Sequence, residues 1–165
     1  MVELFHILNI DSALLRRERE RILQLLNNLL SFGAVVEVGS TAVEGVIGKE
    51  DIDFLVRVPC DRFGEARNIL DQHFERNERQ LADSEFQGYR VASPIDVSVQ
   101  LTIENGRYDD FEPFLLQLRS DPALRRAYND LKLAWNGRPM EEYRAAKSDF
   151  IAAALASYHR GARSD

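Results

Sequence analysis

The sequence has a single cysteine, Cys60, in 165 residues. No internal disulfide can form, and no cysteine-based zinc framework exists. Its three histidines, His6, His73 and His159, are scattered without ligand spacing. No apolar run approaches the roughly 18 residues that a membrane span needs. The opening MVELFHILNID carries Glu3 and Asp11 and no basic segment, which reads as no secretory leader. A reducing, cytoplasmic setting is the expectation. Positive charge is also short: the net charge is −6. That argues against a protein gripping duplex nucleic acid through its phosphates. It leaves open a nucleotide reached through a divalent cation.

Repeats, low-complexity tracts and linker-like stretches are absent as well, so the periodic segments carry the organisation. Asp11 reads as the cap of a helix through SALLRRERERILQLLNNLLSF, with Leu15, Ile22, Leu25, Leu26 and Leu29 on one face and Gly33 at its end. AVVEVG (34–39) and DIDFLVRV (51–58) read as strands; in the second, Ile52, Phe54, Val56 and Val58 alternate on one side. A helix over 61–74 follows. EFQGYRVA (85–92) and IDVSVQLTI (95–103) then read as strands joined through Ser93-Pro94. In the second, Asp96, Ser98, Gln100 and Thr102 share the polar side. The remainder reads as helices: 108–118, one entered through Asp121-Pro122 and stopped by Gly137, and a last one with Tyr143, Ala146, Phe150, Ile151, Ala154 and Leu155 as its buried stripe. The order implies an α+β fold, a small mixed sheet with helices packed mainly on one face and a helical C-terminal third.

Chemistry concentrates in VGSTAVEGVIGKEDIDFLVRVP, Val38 to Pro59. It is not a P-loop, because Gly48-Lys49 is followed by Glu50 and then by a strand. No G-x-G-x-x-G occurs, so a dinucleotide fingerprint fails too. Asp51 and Asp53 are spaced to project from one face of a strand, where two like charges are costly unless a cation or shared proton offsets them. Mg2+ or Mn2+ suits such oxygen donors. Asp96 joins the pair if its strand lies alongside, giving a three-carboxylate, two-metal site. Gly39, Ser40 and Thr41 offer amides and hydroxyls for phosphate oxygens, and Lys49 offers a charge. Each has a bland alternative: acidic residues at a strand edge, polar turn residues, an exposed lysine. The arginines interleaved with Glu18 and Glu20 read as a solvated helix face.

Gly39-Ser40, Asp51-x-Asp53 and a later Asp96 resemble the nucleotidyltransferase superfamily that includes DNA polymerase beta. Within it, GSTAVEGVIGK to Asp53 is similar to the GrpB-like family, whose stretch runs close to GSTAVPGLxAKPIIDI. FEPFLLQLRSDPALRRAYNDLKLA and EEYRAAKSDFI extend the resemblance through Tyr143, Lys147, Phe150 and Ile151. Glu44 and Glu50 stand where the family commonly has proline, and Asp51 where it often has an apolar residue. Asp96-Val97-Ser98 stands where histidines are more usual. The resemblance implies one nucleotidyltransferase-like domain over 1–165, with a catalytic core to about 104 and a helical region beyond. It further implies nucleotidyl-transfer activity, read here as movement of a nucleoside monophosphate from a nucleoside triphosphate to an acceptor hydroxyl with release of pyrophosphate. The shortness of the chain, rather than the resemblance, points to a small-molecule, protein or short RNA acceptor. The alternative is a non-catalytic relative that binds a nucleotide or a protein partner.

Overall fold

The computed structural model describes residues 1–8, 11–109 and 111–162, with the backbone alone at 40, 111, 112, 158, 159, 161 and 162. The elements run α1 (Ser12–Leu29), β1 (Ala34–Glu37), β2 (Ile52–Val58), α2 (Phe63–Asp71), β3 (Glu75–Arg76), β4 (Phe86–Val91), β5 (Val97–Ile103), α3 (Phe111–Ser120), α4 (Pro122–Trp135) and α5 (Met140–Ala162). The strands form one sheet in the order β1-β2-β5-β4-β3. β2 and β5 pair in parallel and the other neighbours are antiparallel. This is the expected α+β class with a helical last third.

The parallel pair sets the site, and hydrophobic alternation sets the pair. Ile52 faces Val97, Phe54 faces Val99, Val56 faces Leu101 and Val58 faces Ile103. All eight side chains are buried, against Ile22 and Leu26 of α1 and Ala66 and Leu70 of α2. Each contributes roughly 1.5–3 kcal/mol relative to exposure. A slip of one residue would turn the whole apolar row outward and drive the aspartates into the core, so the register is firmly specified.

The opposite face is shared. Over β1 and β2, Val36, Val38 and Leu55 pack against Phe114, Leu115 and Leu118 of α3, Tyr128 of α4 and Phe150 of α5. Over β5 and β4 that face carries Ser98, Gln100, Thr102 and Arg90, with the buried Phe86 opposite Thr102. Asp11 caps α1 through Ala13 N, and Asp121 caps α4 through Ala123 N and Leu124 N, with Pro122 in the first turn. Gly137 ends α4 with φ +82°, a backbone conformation that favours glycine.

Several boundaries differ from the sequence expectation. α1 ends at Leu29 with Leu30 as its cap, and Gly33 is not in the left-handed region. α3 starts at Phe111, so Tyr108 precedes it and donates instead to Asp83 Oδ2 at 2.7 Å. The short β3 was not expected at all; two exposed residues carry no periodicity. The N-terminal segment is also anchored. Phe5 is 1% exposed, stacks on Tyr143 with ring centroids 3.8 Å apart, and bonds by its amide to Arg138 O.

Candidate functional site

Asp51 is the residue before β2 and Asp53 its second residue, so both aim at the polar face, as their spacing implied. Val38 N donates to Asp53 O at 2.7 Å, which ends the β1–β2 ladder and brings Gly39 against the Asp53 carboxylate. Gly39 has φ +83°, and a Cβ added there would collide with Asp53 Oδ2. Glycine is therefore required twice over, by backbone conformation and by space.

Asp53 lies in register with Ser98 of β5, whose hydroxyl donates to Asp53 Oδ1. Burial pushes the Asp53 carboxyl up to about 6, reinforced by the charge of Asp51; Ser98 and the more distant Lys147 act against that rise. A half-buried, like-charged carboxylate pair is an arrangement a cation would relieve. Mg2+ is typically held by one or two carboxylates together with waters and substrate phosphates. The donor set of Asp51 and Asp53 fits such an ion.

Asp96 does not complete the expected cluster. Among the described residues no group of three or more His, Cys, Asp or Glu side chains is arranged to hold a metal. Asp96 precedes β5, and Ile52 N donates to its carbonyl at 2.9 Å, so its backbone is beside the pair. Its side chain, 70% exposed, turns to Lys49, with Nζ 3.4 Å from Oδ2. Just ahead of the strand, Lys49 draws that carboxylate to the rim of the cleft and away from the aspartate pair.

The loop residues divide. The backbone of Ser40 opens a 3-10 turn over Ser40–Ala42, while its side chain lies outside the described residues. The Thr41 hydroxyl is 2.9 Å from Asp51 O and 3.0 Å from Glu37 Oε1, engaged in holding the loop to β2. Lys49 faces the cleft. α4 clamps the segment between them: Asn129 accepts from Ile47 N at 3.0 Å and donates to Gly45 O at 2.8 Å. Lys132 Nζ donates to Ile47 O at 2.6 Å. Burial holds the Lys132 ammonium down to about 7.

Beside this loop runs a cleft with two chambers that share Lys49, Asp51, Asp53, Gln80, Gln100 and Arg144. The inner chamber, about 290 Å3, is walled by Leu115, Leu118, Met140, Tyr143 and Ile151, with Lys147 at its side. The outer, about 660 Å3, extends over β5 and β4. The sequence pattern places Tyr143 on a buried stripe, whereas Lys147 enters only through the family resemblance. A lysine four residues after a stripe residue, hence on the same helix face, was the available signal. Gln100 shares the polar side of β5 with Ser98, whereas Gln80 and Arg144 gave no signal.

Three comparisons bear on this geometry. The family model described as "GrpB protein" matches residues 12–157. A UPF0157 protein of Vibrio cholerae is 30% identical over 124 residues, 74% of this chain and 66% of that protein, so the match spans just under two thirds of the relative's length. The crystal structure of the conserved protein GrpB from Enterococcus faecalis superposes with a TM-score of 0.64 at 22% identity, covering 92% of this chain and 98% of that one. Cid1, described as having RNA terminal uridylyl transferase activity, superposes at 0.52 and 14% identity, covering 76% of this chain but only 41% of Cid1. At these identities the structural likenesses establish a shared nucleotidyltransferase-like fold.

Proposed function

The chain belongs to the GrpB family, and from that premise together with the cleft we propose that it is a metal-dependent nucleotidyltransferase acting on a nucleoside triphosphate and an acceptor hydroxyl. The observation that carries the reading is the Asp51–Asp53 pair, held against Gly39 at the mouth of a cleft whose far wall supplies Lys147. Asp51 and Asp53 would hold Mg2+ or Mn2+, which when bound would neutralise charge on the transferring phosphoryl group.

The chain's own groups do the rest. The amides of the Gly39–Ser40 turn and the ammonium groups of Lys49 and Lys147 hold phosphate oxygens. The apolar walls of the inner chamber exclude water and accept a base beside Tyr143. Thr41, Asn129 and Lys132 fix the loop and do not touch substrate. Asp96, kept at the rim by Lys49, takes the acceptor's hydroxyl proton as the acceptor oxygen bonds to the α-phosphorus and pyrophosphate leaves. The single cysteine and acidic composition support a cytoplasmic setting without a duplex partner.

Pyrophosphate release tests the reading. With each of ATP, GTP, CTP and UTP, Mn2+ and a panel of acceptors, release is expected only when an acceptor is present. Asp51→Asn/Asp53→Asn lowers it by at least about a hundredfold. Release without an acceptor would point to hydrolysis. One observation favours a second reading, a non-catalytic nucleotide-binding relative: the outward Asp96 leaves the three-carboxylate cluster unassembled. Nucleotide binding with no turnover for any acceptor would select it.

A further inference from the structure

The outer chamber has a charged end that nucleotide binding leaves unused. Its floor is a row across three strands, Asp53 beside Ser98 and Ser98 beside Arg90. Its side wall is the β3–β4 connection, which brings Arg79 and Gln80 to the chamber. The anions lining it are accounted for. Asp96 pairs with Lys49, and Glu3 and Glu141 lie 4.0 and 3.7 Å from Arg144. Asp51 and Asp53 stand at the nucleotide end. Arg79 and Arg90 make no ion pair among the described residues, although Glu75 is the cross-strand neighbour of Arg90. Among the described residues the amide oxygens of Gln80 and Gln100 are buried without a hydrogen-bond partner. Gly88 makes room for the first, since a Cβ there would run into the Gln80 amide. Both side chains line the chamber, where an unmet amide oxygen is a group that bound water or a ligand donor would satisfy.

We propose that this end is the acceptor subsite, and that the acceptor is a small molecule carrying a phosphate group. Arg79 and Arg90 grip the phosphate, and the Gln80 and Gln100 amides meet its hydroxyls. Guanidinium forks suit phosphate oxygens in charge and geometry. A chamber of about 660 Å3 has the size of a small-molecule site. The inference rests on the nucleotidyl-transfer reading for its chemistry: the acceptor oxygen bonds to the α-phosphorus, the bond to pyrophosphate breaks, and the hydroxyl proton passes to Asp96.

Calorimetric titration of the full chain, without nucleotide or metal, tests it with inorganic phosphate, glycerol 3-phosphate, glucose 6-phosphate and the unphosphorylated glycerol and glucose. The phosphate-bearing probes should bind and the neutral ones should not. Arg79→Gln/Arg90→Gln should weaken binding by at least about tenfold, while Asp51→Asn/Asp53→Asn leaves it in place. Both arginines are exposed, so the variant's unfolding midpoint should stay that of the parent. Magnesium–nucleotide binding should survive the arginine changes. The proposal is overturned if no phosphate probe binds at millimolar concentration, or if binding ignores the arginines. It is equally overturned if magnesium–nucleotide binding falls with them, because the arginines would then serve the triphosphate. Phosphate binding through Arg79 and Arg90 in a chain that binds no nucleotide would contradict the nucleotidyltransferase reading and leave the anion subsite standing.

Discussion

The Asp53 carboxyl shows how position in the fold and the demands of the site oppose each other at one residue. Burial and Asp51 raise it from 3.8 to about 6. Between those values the folded chain binds more protons than the unfolded one, so stability falls as pH rises through that window and the loss is complete above about 6. Asp53→Asn removes the ionisation and can keep the bond from Ser98. It should stabilise the protein at pH 7 by about 1–2 kcal/mol, allowing for solvent in the open cleft. At pH 4 it should change little. Urea unfolding at the two pH values checks this. Equal effects at both would show that the carboxylate is not strained. Gly39→Ala should act in the other direction, costing about 1–3 kcal/mol through left-handed strain and collision with Asp53. Thermal unfolding and metal-dependent nucleotide binding should both suffer. An alanine variant with parental binding would contradict the close approach.

At the scale of elements, the loop between β1 and β2 is shaped from outside by α4. Asn129 contributes two α4 bonds to it, so Asn129→Ala should cost about 1–2 kcal/mol and speed amide hydrogen exchange at residues 43–49, with α1 and α2 unchanged. Uniform acceleration across the chain would mean a general loss of stability instead. The same scale shows where sequence carried structure. β5 was legible because it alternates strictly, and β2 because Ile52, Phe54, Val56 and Val58 hold one face, although Leu55 is buried on the other. That the two pair in parallel was not legible. Asp51 and Asp53 were legible because two-residue spacing in a strand fixes a common face. The direction of the Asp96 side chain was not, since it depends on Lys49 reaching across 47 residues. Gln80 and Arg79 reach the cleft only because β3 pairs with β4, and nothing in two exposed residues announces that pairing. Lys147 was readable from its place on the stripe face of α5, but its nearness to the aspartates needed the helix packing.

Across the whole molecule, the aspartate pair on the sheet and the lysine on the last helix belong to segments far apart in sequence, brought together by Val38, Leu55 and the α3–α5 cluster. The central claim is that this meeting place binds a metal–nucleotide complex through Asp51 and Asp53. Isothermal titration of the nucleoside triphosphates, with and without Mn2+, tests it most directly. Saturable binding of at least one nucleotide is expected, dependent on the ion and weakened by at least about tenfold in Asp51→Asn/Asp53→Asn. Binding that is indifferent to the ion and unchanged in the double variant would contradict the account.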